Sequence, residues 1–405
     1  MSRQFLLMVL TITAIQFVNI MDFMIIMPLG ADLIHALGIK PAHMGMIGSV
    51  HKGAAAISAL FCIFLLDRFS RRQAMLYSFA GLLTGITITA YAEGFPSLLI
   101  GRFLAGFFSA PVTALAIALI VYHIPSNQRP RALSLVMGAF SLVTIIGVPA
   151  SLELAQLGHW RLPFILLQGL GIAIFLFAYR YLPTQRDIAL VHVNASLLFN
   201  QFRQKSGLLY LTTALTMFTG FLIIPYLSVY LQYNLAYPRD SIGLLYFVGG
   251  IASFLAMQGS GYFINRLGFA SFAITGTILL CFVLYQGFVK TPPTAFVLPL
   301  FVGFMVAFAL RNIAVTNWLA QHSATTRCSG FIALNATIQH IASALGSLCS
   351  GYLLHLSPTG ELLGMPLVAS LAILTASTLP ILVWLNRYAQ RPILTYLPTQ
   401  ERTCL

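Results

Sequence analysis

The feature that most constrains this chain is its succession of apolar runs with at most an isolated charge, each roughly 20 residues long or longer. Between Phe5 and Leu29 the only charged residue is Asp22. A helix needs about 20 apolar residues to cross a hydrocarbon core of ~30 Å, so each run predicts a membrane span. Composition points the same way. Only 8% of the 405 residues are charged and 59% are apolar, against about 25% charged in a soluble domain. So few charges leave a soluble surface of this size unwetted, so the surface is expected to be solvated by lipid.

Taken between clusters of charge, proline and glycine, the runs predict twelve spans in an all-α integral membrane fold. The first six cover about 5–29, 43–66, 73–92, 97–123, 131–157 and 162–182; the second six cover about 207–233, 241–264, 269–288, 294–320, 328–356 and 365–386. The stretch 183–206, with Arg186, Asp187, Arg203 and Lys205, is the least hydrophobic and reads as a cytoplasmic linker. The expected organisation is therefore a six-helix bundle over 1–182, the linker, and a second bundle with a short cytoplasmic tail over 207–405.

The net charge of +13 need not imply nucleic acid. With the N-terminus inside, the outer loops hold only Lys40, Arg161, Arg239 and Lys290, and the remaining loop cations fall in the cytoplasmic segments. That is the positive-inside asymmetry. It predicts a multi-pass protein of a bacterial cytoplasmic membrane with both termini inside, partnered by the bilayer and expected to be a monomer. No cleavable signal peptide is evident. The five cysteines have no paired spacing, so neither a disulfide framework nor a zinc site is expected, and no cofactor.

The halves repeat. Span 2 ends in Leu66-Asp67-Arg68-Phe69-Ser70-Arg71-Arg72, and span 8 ends in Gly261-Tyr262-Phe263-Ile264-Asn265-Arg266-Leu267-Gly268. These residues resemble the loop signature of the major facilitator superfamily, although Ile63 and Ser70 stand where that signature has glycine. Span 1 is similar to the superfamily's drug:proton antiporter and sugar-efflux branch through Asn19, Asp22 and Pro28. Span 4 carries Arg102 and Gly106, and span 5 carries Gly138 and Gly147-Val148-Pro149. The resemblance covers essentially the whole chain. It implies two bundles rocking about a central cavity, a plan known from transporters with parallel six-helix repeats.

Each element has a functional and a plainer reading. Asp67, with Arg68, Arg71, Arg72 and their counterparts Asn265 and Arg266, forms the latch that the resemblance implies, or simply a topology signal. Gly138, Gly147 and Pro149 provide a bend and seal, or ordinary close packing. Gln16, Asn19 and Asp22 share one face of span 1 and are expected to face an aqueous cavity. Asp22, Arg102 and Lys52 fall at similar depth. Proton binding at Asp22 with release of Arg102 or Lys52 is one reading, and a permanent salt bridge is the other. Neighbouring cations and burial act on Asp22 in opposite senses, and Lys52 or His51 is the alternative titrating group. Pairing of Lys52 with Asp22 and of Arg102 with Glu153 would leave little net cavity charge. Further cavity candidates are His51, Tyr226, Arg311, Asn312, Asn335 and Gln339, with Thr212, Thr216, Thr219, Tyr230, Thr316 and His340, and without that pairing the cationic inventory favours an anionic or polar substrate over a lipophilic cation.

No metalloprotease, nucleophile-elbow or phosphate-loop motif is present, so an enzyme is not expected. The expectation is proton-driven efflux of a small polar or amphiphilic compound. The alternatives are uptake by proton symport or uniport of a sugar or organic anion, and a non-transporting receptor.

Overall fold

The computed structural model describes residues 3–65, 70–125, 127–183, 207–323, 329–357 and 361–390. Within these it describes no side chains at 3–4, 63–65, 130, 260–267, 269, 320–323, 329–333 and 386–390. The first half contains α1 (Arg3–Ile26), α2 (Gly30–Leu37), α3 (His43–Leu65), α4 (Arg71–Ala90), α5 (Phe95–His123), α6 (Arg129–Leu142), α7 (Val148–Leu157) and α8 (Leu162–Tyr181). The second half contains α9 (Gly207–Ile223), α10 (Leu227–Tyr233), α11 (Ile242–Leu284), α12 (Val297–Ser323), α13 (Ser329–Leu353) and α14 (Met365–Gln390).

Among the described residues, ten helical segments are long and apolar enough to cross a membrane. Helices α3 and α13, of 23 and 25 residues, occupy the other two predicted spans. Local chemistry sets several boundaries. Ser70 caps α4 by accepting a hydrogen bond from the Gln73 amide, which satisfies one of the free donors of the first turn. Pro96 sits in the first turn of α5, where no intrahelical donor is needed. The helical tract of α11 runs 43 residues, but Gly268 inside it has φ 76° and ψ 154°. Only glycine takes that conformation freely, so the chain turns there and returns as the predicted ninth span.

Four boundaries differ from expectation. Span 1 stops at Ile26, and the short α2 follows, closed by Gly38 in the left-handed conformation at φ 61°. Span 5 divides into α6, a π-helical turn at Val143–Gly147, and α7, with Pro149 in the first turn of α7. Span 7 divides into α9, a 3₁₀ turn at Ile224–Tyr226, and α10. Span 11 ends at Leu353, and β1 (His355–Leu356) pairs antiparallel with β2 (Leu362–Leu363).

Within the first half α4 packs on α5 and α1 on α6 and α8; within the second, α11 packs on α12 and α9 on α13 and α14. Between halves, α3 lies along α13, and the start of α11 lies against α7 and the π turn before it. The largest apolar cluster draws on both halves, and a smaller one around Tyr210, Ala273, Val315 and Trp318 fills the second. The expected linker, 184–206, lies outside the described residues.

Candidate functional site

Asp22 on α1 and Arg102 on α5 are both 0% exposed and form a forked ion pair. Arg102 Nη2 donates to Asp22 Oδ1 at 2.6 Å, and Nη1 donates to Oδ2 at 3.2 Å and to the Asp22 carbonyl at 3.2 Å. Thr89 on α4 accepts from Nε at 3.2 Å and from Nη2 at 2.8 Å, and its own hydroxyl donates to the Gly85 carbonyl. Every nitrogen of the guanidinium is engaged, as a buried charge requires.

The rest of the polar face of α1 turns the same way. Asn19 Nδ2 donates to Gln16 Oε1 at 3.1 Å, to Thr113 Oγ1 at 3.0 Å and to the Ser109 carbonyl at 3.3 Å. Gln16, Asn19 and Asp22 are all buried. The face expected to meet an aqueous cavity is instead zipped onto α5. The Lys52–Asp22 and Arg102–Glu153 pairing is replaced by Asp22–Arg102, and Glu153 is exposed, close to Gly243 at the start of α11.

Lys52 faces the seam between the halves. Its Nζ lies 3.6 Å from the ring centroid of Phe23 on α1 and 5.5 Å from that of Phe221 on α9. Among the described residues no carboxylate oxygen comes within 4.0 Å of it. Beside it, His51 is buried with Nδ1 unpartnered, and its ring is 5.2 Å from Phe23. His340, half-buried on α13, lies within electrostatic reach of Lys52, as do Lys52 and Arg102 of His51. The glycine at Gly106 lets α5 rest against the backbone of His51, where a Cβ would collide with the His51 carbonyl. Four helices thus converge on a half-buried amine flanked by two phenyl rings and two imidazoles. Phe23 and Phe221 carried no signal in the sequence beyond being two of 31 phenylalanines.

The other candidates divide. Asn335 is buried with Oδ1 unpartnered, whereas Asn312 and Gln339 are half-buried and Thr316 is exposed. Thr212, Thr216 and Thr219 all donate to carbonyls one turn back in α9, the commoner arrangement for threonine in a helix. Tyr230 donates to the Gly287 carbonyl. Arg311 is 0% exposed and sits inside the second half under α11, not in an open cavity.

Tyr226, another cavity candidate, is tied across the seam between the halves. It is fully buried, and its hydroxyl donates to the Ala42 carbonyl at 2.7 Å and accepts from the Gly45 amide at 2.9 Å. Nearby, Ser228 donates to the Pro28 carbonyl, Tyr233 meets His35, and Arg239 forms a forked pair with Asp32 at 2.7 Å. These contacts bridge the halves at the end where α1 finishes and α3 begins.

Of the predicted latch, Asp67 and Arg68 lie outside the described residues, as do the side chains of Asn265 and Arg266. Arg71 is buried at the start of α4, 4.3 Å from the Tyr122 ring, and Arg72 donates to the Tyr179 carbonyl. In the predicted seal, Gly147 packs closely against the Met21 side chain, and a Cβ there would displace Met21 Sδ. Gly138 has no neighbour within 4 Å of that position, so it does not serve close contact.

Relatives and solved structures agree with this architecture. Purine ribonucleoside efflux pump NepI of Salmonella paratyphi B is 26% identical over 370 residues, covering 88% of this chain and 89% of the pump. NepI of Salmonella enteritidis PT4 is 26% identical over 369 residues, covering 89% and 88%. The fold matches a bacterial homolog of the human lysosomal transporter Spinster, inward-facing, with TM-score 0.71, 16% identity, and 98% and 100% of the two chains covered. It matches the nucleoside transporter NupG with TM-score 0.72, 15% identity, and 94% and 99% covered. The family model of the Major Facilitator Superfamily matches residues 12–347. With the helices and the family model in agreement, this chain belongs to the Major Facilitator Superfamily and is a membrane transporter, not an enzyme.

Proposed function

We propose that the chain exports a small, polar, ring-bearing compound, with a purine nucleoside as the leading candidate, in exchange for protons. The observation that carries this reading is the cluster of Lys52, His51 and His340 between Phe23 and Phe221. Phe23 and Phe221, whose ring centroids are 5.9 Å apart, form an aromatic wall for a base to pack against once the seam opens. Neutral imidazole and amine nitrogens accept hydrogen bonds from the N–H and O–H groups of such a substrate. A proton added to the cluster turns an acceptor into a donor, so the substrate N–H or O–H that it held loses its partner. Proton and substrate then exclude one another, the requirement for antiport. The substrate named for the NepI pumps suits this chemistry, and the fully partnered Asp22–Arg102 pair acts as a clamp holding α1, α4 and α5 together.

In this reading 1–182 and 207–405 are bundles that rock about the seam, the termini face the cytoplasm, and the state described is closed to the outside by the Tyr226 and Asp32–Arg239 contacts. The Arg71 and Arg72 region is the latch for the opposite state, and the Gly147 turn limits leakage. The test is uptake of radiolabelled inosine and guanosine into everted membrane vesicles under an imposed pH gradient, acid inside. Accumulation that collapses with a protonophore is expected. Uptake indifferent to the gradient would make the chain a uniporter, and absence of flux for every nucleoside would refute the substrate class.

A further inference from the structure

Arg311 presents a charge problem that the transport cycle proposed above does not solve. The side chain is 0% exposed, and its Nε, Nη1 and Nη2 all lack a hydrogen-bond partner. Burying an ionised group unpaired costs several kcal/mol, so arginines inside membranes pair with something. Arg102 shows what the chain provides when it can: a forked carboxylate and a threonine hydroxyl. Among the described residues, the second half has no such carboxylate near Arg311. From residue 207 onward its only acids are Asp240, Glu361 and Glu401. Asp240 precedes α11 and Glu361 lies in the turn between β1 and β2, both at the end where α12 begins. Arg311 is about 21 Å further along α12 from Val297 at the helical rise of 1.5 Å per residue.

The surroundings are built closely around the guanidinium stem. Gly276 on α11 brings that helix onto α12 here, since a Cβ would sit 3.0 Å from Arg311 Cγ. The next residue, Thr277, is 5% exposed, and its Oγ1 is also unpartnered. One turn on, Cys281 lies within electrostatic reach of Arg311, and its thiol is already matched to Ser377 Oγ at 3.7 Å. The segment therefore offers three guanidinium nitrogens and one hydroxyl as free donors.

We infer that Arg311, with Thr277, binds a small monovalent anion, an inorganic halide or a compact carboxylate, between α11 and α12. A planar guanidinium and a hydroxyl donor suit either form of the anion. The bound charge neutralises Arg311 and ties the two helices together. The site is separate from the Lys52 cluster and is tested without transport, so its failure and that of the nucleoside reading are independent.

The experiment is thermal unfolding of the purified full-length chain as sodium chloride replaces sodium gluconate at constant ionic strength, with a parallel sodium formate series and binding of radiolabelled chloride. The expected result is a saturable rise in melting temperature for the wild type, a flat response for Arg311→Met, and a several-fold weaker midpoint for Thr277→Val. A response to chloride identifies an inorganic anion; a response to formate alone identifies a carboxylate. If Arg311→Met does not fold, radiolabel binding by wild type and Thr277→Val decides. A wild type indifferent to both anions, an equal response in Arg311→Met, or unchanged affinity in Thr277→Val where Arg311→Met cannot be measured, would overturn the assignment.

Discussion

Replacing Arg102 with methionine leaves Asp22 a buried carboxylate whose cation is gone. Three hydrogen bonds to Asp22 disappear, one of them at 2.6 Å, and Thr89 loses both of its guanidinium donors. Removing one partner of a buried pair costs about 3–5 kcal/mol, whereas exchanging both for apolar groups is often neutral or stabilising. Full burial on both sides and the complete donor set place Arg102→Met near the upper end of that range. Asp22→Leu, which strands the guanidinium, should cost a similar amount. The double variant Asp22→Leu/Arg102→Met should recover most of the loss, for a coupling energy of at least about 3 kcal/mol within the same range. Unfolding free energies in bilayer nanodiscs, followed by fluorescence of the three tryptophans, give the cycle directly. A structural clamp also predicts that the double variant keeps substrate-dependent proton movement. Additive single costs, or singles each below about 1 kcal/mol against the expected 3–5, would refute the energetic argument. Loss of coupling in a stable double variant would return proton binding to Asp22.

Other substitutions follow from the same geometry. Gly268→Ala forces a Cβ onto φ 76°, ψ 154° and should cost roughly 1–3 kcal/mol, read as a lower unfolding free energy with the fold unchanged. Gly45→Val places a side chain where even a Cβ lies 2.8 Å from Tyr226 Oη and collides with the Ser347 carbonyl; labelling of single cysteines near α2 should show that this end opens more often. Reversing the Asp32–Arg239 pair as Asp32→Arg/Arg239→Asp should restore the closure that either single reversal loses, whereas permanent opening in the double variant would show that the pair does not gate. Since the pair is partly exposed, the effect should be modest, about 1 kcal/mol or less.

The spans were legible because lipid imposes one simple demand, a long apolar helix, and because Gly268 marks its own turn. Asp22 and Arg102 were legible as residues, since a charge inside a span is costly, but their pairing was not. The Asn19 contacts to Ser109 and Thr113 join residues some ninety positions apart, and no periodicity along α1 says which neighbour its polar face meets. Tyr226 was legible as a polar group for the same reason, but its bond to the Gly45 amide in the other half was not. The seam at Lys52 was half visible. The lysine stood out by charge, whereas Phe23 and Phe221 became significant only when α1 and α9 were placed on either side of it. Helix α2 and the β1–β2 hairpin are too short to rise above the apolar background.

The account's central claim is that protons and substrate compete at the Lys52 cluster. Proteoliposomes carrying an internal pH dye, given an inosine gradient, test it most directly when wild type is compared with Lys52→Met. The prediction is inosine-dependent proton movement in the wild type and its loss in Lys52→Met, with inosine exchange between equal internal and external pools retained. Proton movement that survives in Lys52→Met, or inosine flux without proton movement in the wild type, would contradict it.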